Sequence, residues 1–147
     1  MLATAGFVDN SINSFPVESK QLAFEIENCH TEIVLNEFSD KIFIVLTQLN
    51  KIGSMILVTS ENNRISNNNI ISVQPLLGAS DSPLYQTFAS CILQEILKIR
   101  PNERRPLVLS LAFNKKMFVG DSEESTMFIP NLLPEVIKAI QFLIQKN

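Results

Sequence analysis

The chain has 147 residues, of which 46% are hydrophobic and 18% are charged, and its formal net charge is −3. This length predicts one domain, and the apolar content predicts a core that needs neither disulfides nor a metal. Charged residues are scarcer than the ~25% typical of soluble domains, which indicates that part of the surface is an interface. The acidic balance excludes an overall basic footprint for nucleic acid, and no apolar run reaches the ~20 residues of a membrane span.

Residues 1–19 are predicted to form a flexible leader, because they are small, polar and prone to turns. They lack the basic start and the uninterrupted apolar stretch of a signal peptide. The domain itself is predicted over residues 20–147. Cys29 and Cys91 match no metal-binding or redox spacing, so we expect reduced thiols in a cytoplasmic protein, with the nucleus as a second location.

Apolar segments separated by turn residues predict strands near 22–26, 32–38, 41–49 and 55–60, with a turn at 28–31. The strand at 41–49 is apolar on both faces. Its alternating sets are Ile42, Ile44 and Leu46 on one side, and Phe43, Val45 and Leu49 on the other. Both faces of the sheet therefore have to be covered at its centre. Residues 50–53 are predicted to form a hairpin loop that returns the chain antiparallel.

The polar segment 61–69 is predicted to be a mobile loop, because it offers little apolar surface to a core. A fifth strand is predicted over 70–77. Pro75 places that strand at an edge or a bulge, since proline cannot donate a hydrogen bond to a ladder.

Two helices are predicted in the second half of the chain. The first is capped by Asp81 or Ser82, carries Pro83 in its first turn and ends before Pro101. The second begins near Asn131 and has apolar residues at helical spacing. A sixth strand and a long acidic connection are predicted between the helices, at 106–113 and 115–130.

This order of elements predicts a single α+β domain with a roughly six-stranded antiparallel sheet. Two main helices can cover one face of such a sheet. The other face is then available for dimerisation, which would complete a sandwich between two subunits. The candidate residues of this dimer face are Phe43, Val45, Val108 and Ala112.

No catalytic or cofactor-binding motif is visible. Cys29 and His30 are adjacent, and adjacent residues at a strand end point to opposite sides, so a turn is favoured over a nucleophile pair. One histidine and two separated cysteines fall short of a metal-binding set, and the isolated glycines form no phosphate-binding loop. The sequence therefore predicts a protein that is not an enzyme and that uses neither a cofactor nor a metal.

Several basic residues in predicted loops are candidates for binding a partner. They are Lys51, Arg64, Arg104 and Arg105. Helix capping or a solvated surface is the simpler interpretation for the cluster that follows the first helix.

Two strings resemble the proteasome assembly chaperone 3 family: DKIFIVLTQLNKIGS at 40–54 and VQPLLGASDSPL at 73–84. The resemblance extends from about Val17 to the last helix. Its most specific residues are Thr47, Gln48, Lys51 and Gly53, and then Leu76, Leu77, Gly78, Asp81, Pro83 and Leu84.

The resemblance implies a small α+β protein that pairs through its sheet with the fourth proteasome assembly chaperone. The heterodimer would hold α-type subunits while the α-ring of the proteasome core particle assembles, without nucleotide, metal or catalysis. A homodimer of the isolated chain stays open at this point.

Two other classes of function stay open as well. A dimeric adaptor of the longin or roadblock kind would use a similar small domain to scaffold a trafficking or signalling complex. An enzyme would need turnover that depends on Cys29 and His30. Co-purification separates the first two classes, because a chaperone should recover proteasome α subunits and an adaptor should recover GTPases or vesicle proteins.

Overall fold

A computed structural model describes residues 17–63, 65, 68–78, 82–120 and 126–145. The described elements are, in chain order, β1 (Glu18–Ile26), β2 (Cys29–Glu37), β3 (Ile42–Thr47), β4 (Ser54–Asn63), β5 (Asn68–Leu77), α1 (Pro83–Ile99), β6 (Leu107–Ala112), a 3₁₀ turn (Lys115–Met117), β7 (Phe118–Val119), β8 (Met127–Phe128) and α2 (Leu132–Gln145). Most of the predicted leader, residues 1–16, lies outside the described residues, and β1 includes the rest of it from Glu18.

The six long strands form one sheet in the order β1-β2-β3-β6-β4-β5. Neighbouring strands are antiparallel, except that β3 and β6 run parallel. The predicted α+β domain with a six-stranded, mainly antiparallel sheet is therefore confirmed. The parallel pair has a simple topological cause, because β6 lies between two strands that run in opposite directions and must be parallel to one of them.

The predicted hairpin between β3 and β4 is wrong, because β6 separates these two strands. The connecting loop instead crosses the end of β6. A Cβ atom at Gly53 would overlap the carbonyl oxygen of Leu111, and the Gly53 amide donates to Ser110 Oγ over 3.1 Å. Asn50 does adopt a left-handed φ of 54°. Close approach to β6, rather than a left-handed backbone, is thus the reason for glycine at 53.

The turn between β1 and β2 is shorter than predicted. Glu27 and Asn28 have φ values of 49° and 64°, which matches the tight two-residue turns that suit the twist of antiparallel strands. Cys29 is consequently the first residue of β2 and pairs with Ile26. The predicted turn at 28–31 is therefore mostly strand.

Strand pairing continues into the asparagine-rich segment that was predicted to be a loop. The outermost pairs are Glu61 with Ile70, Asn62 with Asn69 and Asn63 with Asn68. Ladder hydrogen bonds come from the backbone, so polar side chains do not prevent them. The prediction is wrong at these positions, and Arg64 lies outside the described residues.

The edge position predicted from Pro75 is confirmed. Among the described strands β5 pairs with β4 alone, and the register between the two strands shifts between Met55 and Ile56. Pro75 is opposite Ile56, next to this irregularity. No described strand pairs with the outer side of β5, so the missing N–H of Pro75 interrupts no ladder of hydrogen bonds there.

Both helices pack on one face of the sheet, α1 over β4 and β5, and α2 over β1 and β2. Helix α1 begins at Pro83, directly after its N-cap residue Ser82, and ends at Ile99, close to its predicted limits. The core includes fully buried residues from both layers, among them Ile33, Ile44, Leu109, Ile92, Ile96, Val136 and Leu143. Burial of each large aliphatic side chain contributes roughly 1.5–3 kcal/mol before entropy is subtracted. Neither described helix is long and apolar enough to cross a membrane.

Part of the predicted acidic connection packs against the core. Phe118 and Phe128 are paired across β7 and β8, and their ring centroids are 5.1 Å apart. The Phe128 ring also lies 5.8 Å from Tyr85 of α1 and 5.3 Å from Phe113. The described ends of this connection are therefore held by aromatic contacts, whereas its acidic residues at 121–124 lie outside the described residues.

Candidate protein interface

The sheet face opposite the two helices is apolar at its centre. We call it the helix-free face. Strand register places two rows of side chains on it: Val34, Val45, Ser110 and Met55, and then Asn36, Phe43, Val108 and Leu57. The six apolar side chains in these rows are half-buried. Neither described helix covers this patch, and an apolar surface of this kind is typical of a protein interface.

The four residues predicted for the dimer face all lie on this surface. Phe43 pairs with Val108 across the parallel strands, Val45 lies one row further along β3, and Ala112 pairs with Thr47. Phe43, Val45 and Val108 are half-buried, and Ala112 is 4% exposed. The larger side chains therefore supply the accessible apolar surface, and Ala112 lies beneath it.

Ser110 is the polar residue at the centre of the helix-free face, and it is fully buried. Its hydroxyl accepts the hydrogen bond from the Gly53 amide within the same chain. The Ser110 hydroxyl already has a hydrogen-bond partner within the chain. A protein that covers this face would therefore not leave the hydroxyl buried and unpaired.

Residues that carry the family resemblance organise the end of the sheet where β3 and β6 finish. Thr47 Oγ1 accepts hydrogen bonds from the amides of Leu49 and Lys51, over 3.1 and 3.2 Å. Gln48 bridges two other segments, because its Nε2 donates to buried Thr31 Oγ1 over 3.0 Å and its Oε1 accepts from the Asn114 amide over 2.9 Å. These polar residues therefore shape the loop.

The two resembling segments meet at this same end of the sheet. Met55 at the start of β4 pairs with Leu77 at the end of β5, so the loop at 48–53 lies near 76–78. Four exposed aliphatic residues result, with the exposed fractions Leu49 42%, Ile52 59%, Leu76 47% and Leu77 62%. They extend the apolar surface beyond the helix-free face, and exposed Lys51 lies between two of them in sequence.

Arg105 is placed in a cluster of four charged residues that includes Glu37, Arg100 and Glu103. Its Nη2 lies 2.8 Å from Glu37 Oε1, its Nε lies 2.8 Å from Glu103 Oε2, and its Nη1 donates to the Phe38 carbonyl over 2.7 Å. Arg100 makes a second contact with Glu37, since its Nη2 donates to Oε2 over 3.1 Å. We call this group the ionic cluster.

The ionic cluster is well shielded, since Glu37 and Glu103 expose 11% and 7% of their side chains. Hydrogen bonds from Arg105 lower the pKa of the Glu103 carboxyl to about 2. The hydrogen bond from Arg100 is the largest cause that lowers the pKa of Glu37. The ionic cluster thus joins the end of β2 to the segment between α1 and β6. Arg104, by contrast, is exposed.

Cys29 and His30 point to opposite sides of β2. Cys29 is 7% exposed and belongs to the core, whereas exposed His30 places Nε2 3.1 Å from Glu32 Oε2. Among the residues that the structure describes, no three or more His, Cys, Asp or Glu residues are placed to hold a metal ion.

The sequence matches the model of the family described as proteasome assembly chaperone 3 over residues 44–127, which is more than half of the chain. The chain belongs to the proteasome assembly chaperone 3 family. Its predicted family resemblance is thereby confirmed, and its function is in proteasome assembly. No curated protein matches the chain.

The fold of this family member is also similar to a solved structure. The similar chain comes from the crystal structure of a novel chaperone complex for yeast 20S proteasome assembly. The match has a TM-score of 0.63 at 16% sequence identity, and it covers 86% of this chain and 98% of the yeast chain. At this identity the similarity shows a shared fold.

The part of the chain that matches the family model contains the surfaces described above. It begins within β3 and continues through β4, β5, α1 and β6 to the first residue of β8. The match to proteasome assembly chaperone 3 therefore includes most of the helix-free face and the four exposed aliphatic residues at the end of the sheet. The β1–β2 hairpin and α2 lie outside the match.

Proposed function

We propose that this chaperone pairs with the fourth proteasome assembly chaperone through its helix-free face, and that the heterodimer holds α-type subunits while the α-ring forms. Family membership supports the role in proteasome assembly. The observation that carries the pairing is the apolar helix-free face, where Phe43, Val45 and Val108 lie together on the side of the sheet opposite the two described helices.

A second sheet is the natural cover for such a face. Two packed sheets lie about 10 Å apart, and the side chains of their inner faces interdigitate to form a core. Here β3, β6 and β4 would provide the centre of that core from this subunit. The protein would act by binding alone, without nucleotide, metal or catalysis, in the cytoplasm and also in the nucleus.

The α-type subunit would bind to surface that the dimer leaves free. An assembly factor has to bind specifically and then leave, which favours a modest interface with polar and charged contacts. Exposed Lys51 and Arg104 are the candidates among the described residues, and Arg64 is a third candidate outside them. Arg105 is a weaker candidate, because its guanidinium group is engaged in the ionic cluster.

Mass spectrometry of a tagged pull-down tests the proposal. We expect recovery of the fourth assembly chaperone and of α-type subunits. Recovery of GTPases or vesicle proteins in their place would contradict the chaperone role and support an adaptor.

Reconstitution with a purified α subunit tests the binding residues. Lys51→Glu and Arg104→Glu should weaken capture of the subunit and reduce its salt dependence, because an attractive charge becomes repulsive. Lys138→Glu reverses an exposed charge on α2 and is the matched control. If both loop reversals behave like this control, the α-subunit site lies elsewhere.

A further inference from the structure

Three exposed lysines at one end of the sheet make no ion pair among the residues that the structure describes. Lys51 lies in the loop after β3, and Lys115 and Lys116 lie in the 3₁₀ turn after β6. The other exposed lysines of the described surface have carboxylate partners. These pairs are Lys98 with Glu95 over 2.8 Å and Lys138 with Glu135 over 3.4 Å. The exposed lysines without an ion pair therefore all lie at this end.

Hydrogen bonds hold the two segments that carry these lysines side by side. The Lys51 amide donates to Thr47 Oγ1 over 3.2 Å, at the end of β3. Gln48 follows Thr47, and its Oε1 accepts from the Asn114 amide over 2.9 Å. Asn114 Oδ1 accepts in turn from the Lys116 amide over 3.0 Å. The loop after β3 and the 3₁₀ turn after β6 are thus parts of one continuous surface.

Most of the exposed large hydrophobic side chains lie at the same end of the sheet. Six of the nine that the structure describes are found there: Leu49, Ile52, Leu76, Leu77, Val119 and Met127. The first two belong to the loop after β3, the next two lie beside this loop, and the last two pair with each other where β7 continues the 3₁₀ turn. We call this surface, formed by residues 48–53, 76–77, 114–119 and 127, the lysine end. Apolar and basic side chains are therefore concentrated on it together.

The lysine end fits a partner segment that carries aspartate or glutamate among apolar residues. Ammonium groups attract carboxylates and set the specificity and the orientation of a complex, whereas apolar contact provides buried area. Glu27 lines a small cleft together with Lys116, but Glu27 Oε1 already accepts a hydrogen bond from Asn131 Nδ2 over 2.6 Å. This carboxylate is engaged within the chain, so Lys116 keeps its charge available for a partner.

We infer that the lysine end binds an acidic segment of the α-type subunit, one with apolar side chains between its carboxylates. The inference rests on the proposed function, and it names the surface and the chemistry by which the subunit is recognised. Arg104 precedes β6 and lies beyond the opposite end of that strand, so it is not part of the lysine end. The lysine end borders the helix-free face and leaves that face to the second chaperone.

The first test measures capture of a purified α-type subunit by the chaperone dimer at low and high salt. Lys115→Glu with Lys116→Glu should weaken capture about tenfold at low salt and reduce its salt dependence, because two attractive charges become repulsive. Lys98→Glu with Lys138→Glu makes the same change of charge on the helices and is the matched control. Capture that is equal in the two double variants would overturn the inference.

The apolar part of the lysine end is tested in the same assay. Ile52→Ser should weaken capture about threefold, because Ile52 is 59% exposed in the free chain and would be covered in the complex. Phe142→Ser on α2 is the control, since Phe142 is similarly exposed, at 54%. Equal capture by these two variants would overturn the apolar part of the inference.

These measurements separate the inference from the proposed function. If Arg104→Glu weakens capture while the variants of the lysine end behave like their controls, the inference is overturned and the proposed function stands. If the wild-type dimer captures no α-type subunit, the proposed function is contradicted, and the inference with it.

Carbodiimide cross-linking of the captured complex tests the contact itself. The reagent activates a carboxylate, which then forms an amide bond with an adjacent lysine amine while the carbodiimide becomes a urea. Mass spectrometry should find Lys51, Lys115 or Lys116 joined to aspartate or glutamate of the α-type subunit. Cross-links from these lysines only to the acidic residues at 121–124 of the same chain would overturn the inference, because their charge would then be matched internally. A captured complex without any cross-link from these lysines would overturn it as well.

Discussion

Gly53 and Leu111 come into direct backbone contact where the loop after β3 crosses the end of β6. A methyl group at 53 would overlap the Leu111 carbonyl oxygen, so Gly53→Ala has to displace either the loop or the strand. We expect the free energy of unfolding to fall by about 1–3 kcal/mol, which is typical of overpacking. Urea denaturation measures this change, and Ser39→Ala at an exposed bend is the control. A stability equal to that of the wild type would show that the loop can move away without cost.

The ionic cluster should make stability depend on pH in acid. The folded-state pKa of Glu103 is about 2, which is below its ordinary value of 4.5, and the pKa of Glu37 is also lowered. Carboxylates with lowered pKa values stabilise the fold fully above their ordinary pKa, and this stabilisation is lost as the pH falls through the folded-state value. The free energy of unfolding should therefore decrease between about pH 5 and pH 2.

Arg105→Met tests the source of this pH dependence. Removal of the guanidinium group leaves shielded carboxylates without their partner, so we expect a loss on the order of 2 kcal/mol at pH 7 and a flatter decrease in acid. Arg104 is the exposed neighbour of Arg105 and supplies the control. Arg104→Met should change the free energy of unfolding little. Denaturant titrations at pH 7 and pH 3 would contradict the assignment if both variants lost the same stability.

Val45→Asp tests the helix-free face directly. Val45 is half-buried in the isolated chain, so a carboxylate there can reach water in the monomer but would be desolvated against a second sheet. We expect the fold to persist and the affinity for the fourth assembly chaperone to fall by about tenfold or more. Phe142→Asp places the same charge at an exposed aromatic position on α2 and is the control. Light scattering that shows a full complex with Val45→Asp would exclude this face as the interface.

The outer part of the β4–β5 hairpin should open more readily than its inner part. Residues 55–58 of β4 are paired on both sides, with β5 and β6, whereas 59–63 pair with β5 alone among the strands that the structure describes. Amide hydrogen exchange should therefore be faster in 59–63, because fewer contacts oppose local opening. Equal protection along β4 would indicate that another segment covers the outer hairpin.

Much of the fold follows from local patterns in the sequence. The two apolar sets in β3 predict a strand covered on both faces, and Pro75 predicts the edge position of β5. Pro83 and Pro101 similarly predict the limits of α1. Each of these features depends on the conformation of a few adjacent residues, and so it can be derived before any contact is known.

Tertiary structure decided which distant segments meet. The insertion of β6 between β3 and β4 joins segments that are distant in the sequence. The contact of Arg105 with Glu37 and the bridge from Gln48 to Asn114 do the same, over 68 and 66 positions. Glycine at 53 and paired charges near Pro106 are compatible with turns and solvated surface, so their sequence context alone does not distinguish these roles. Local preferences determine that a strand or helix forms, whereas the partner of each strand or charge depends on which arrangement buries the most apolar surface with its polar groups satisfied.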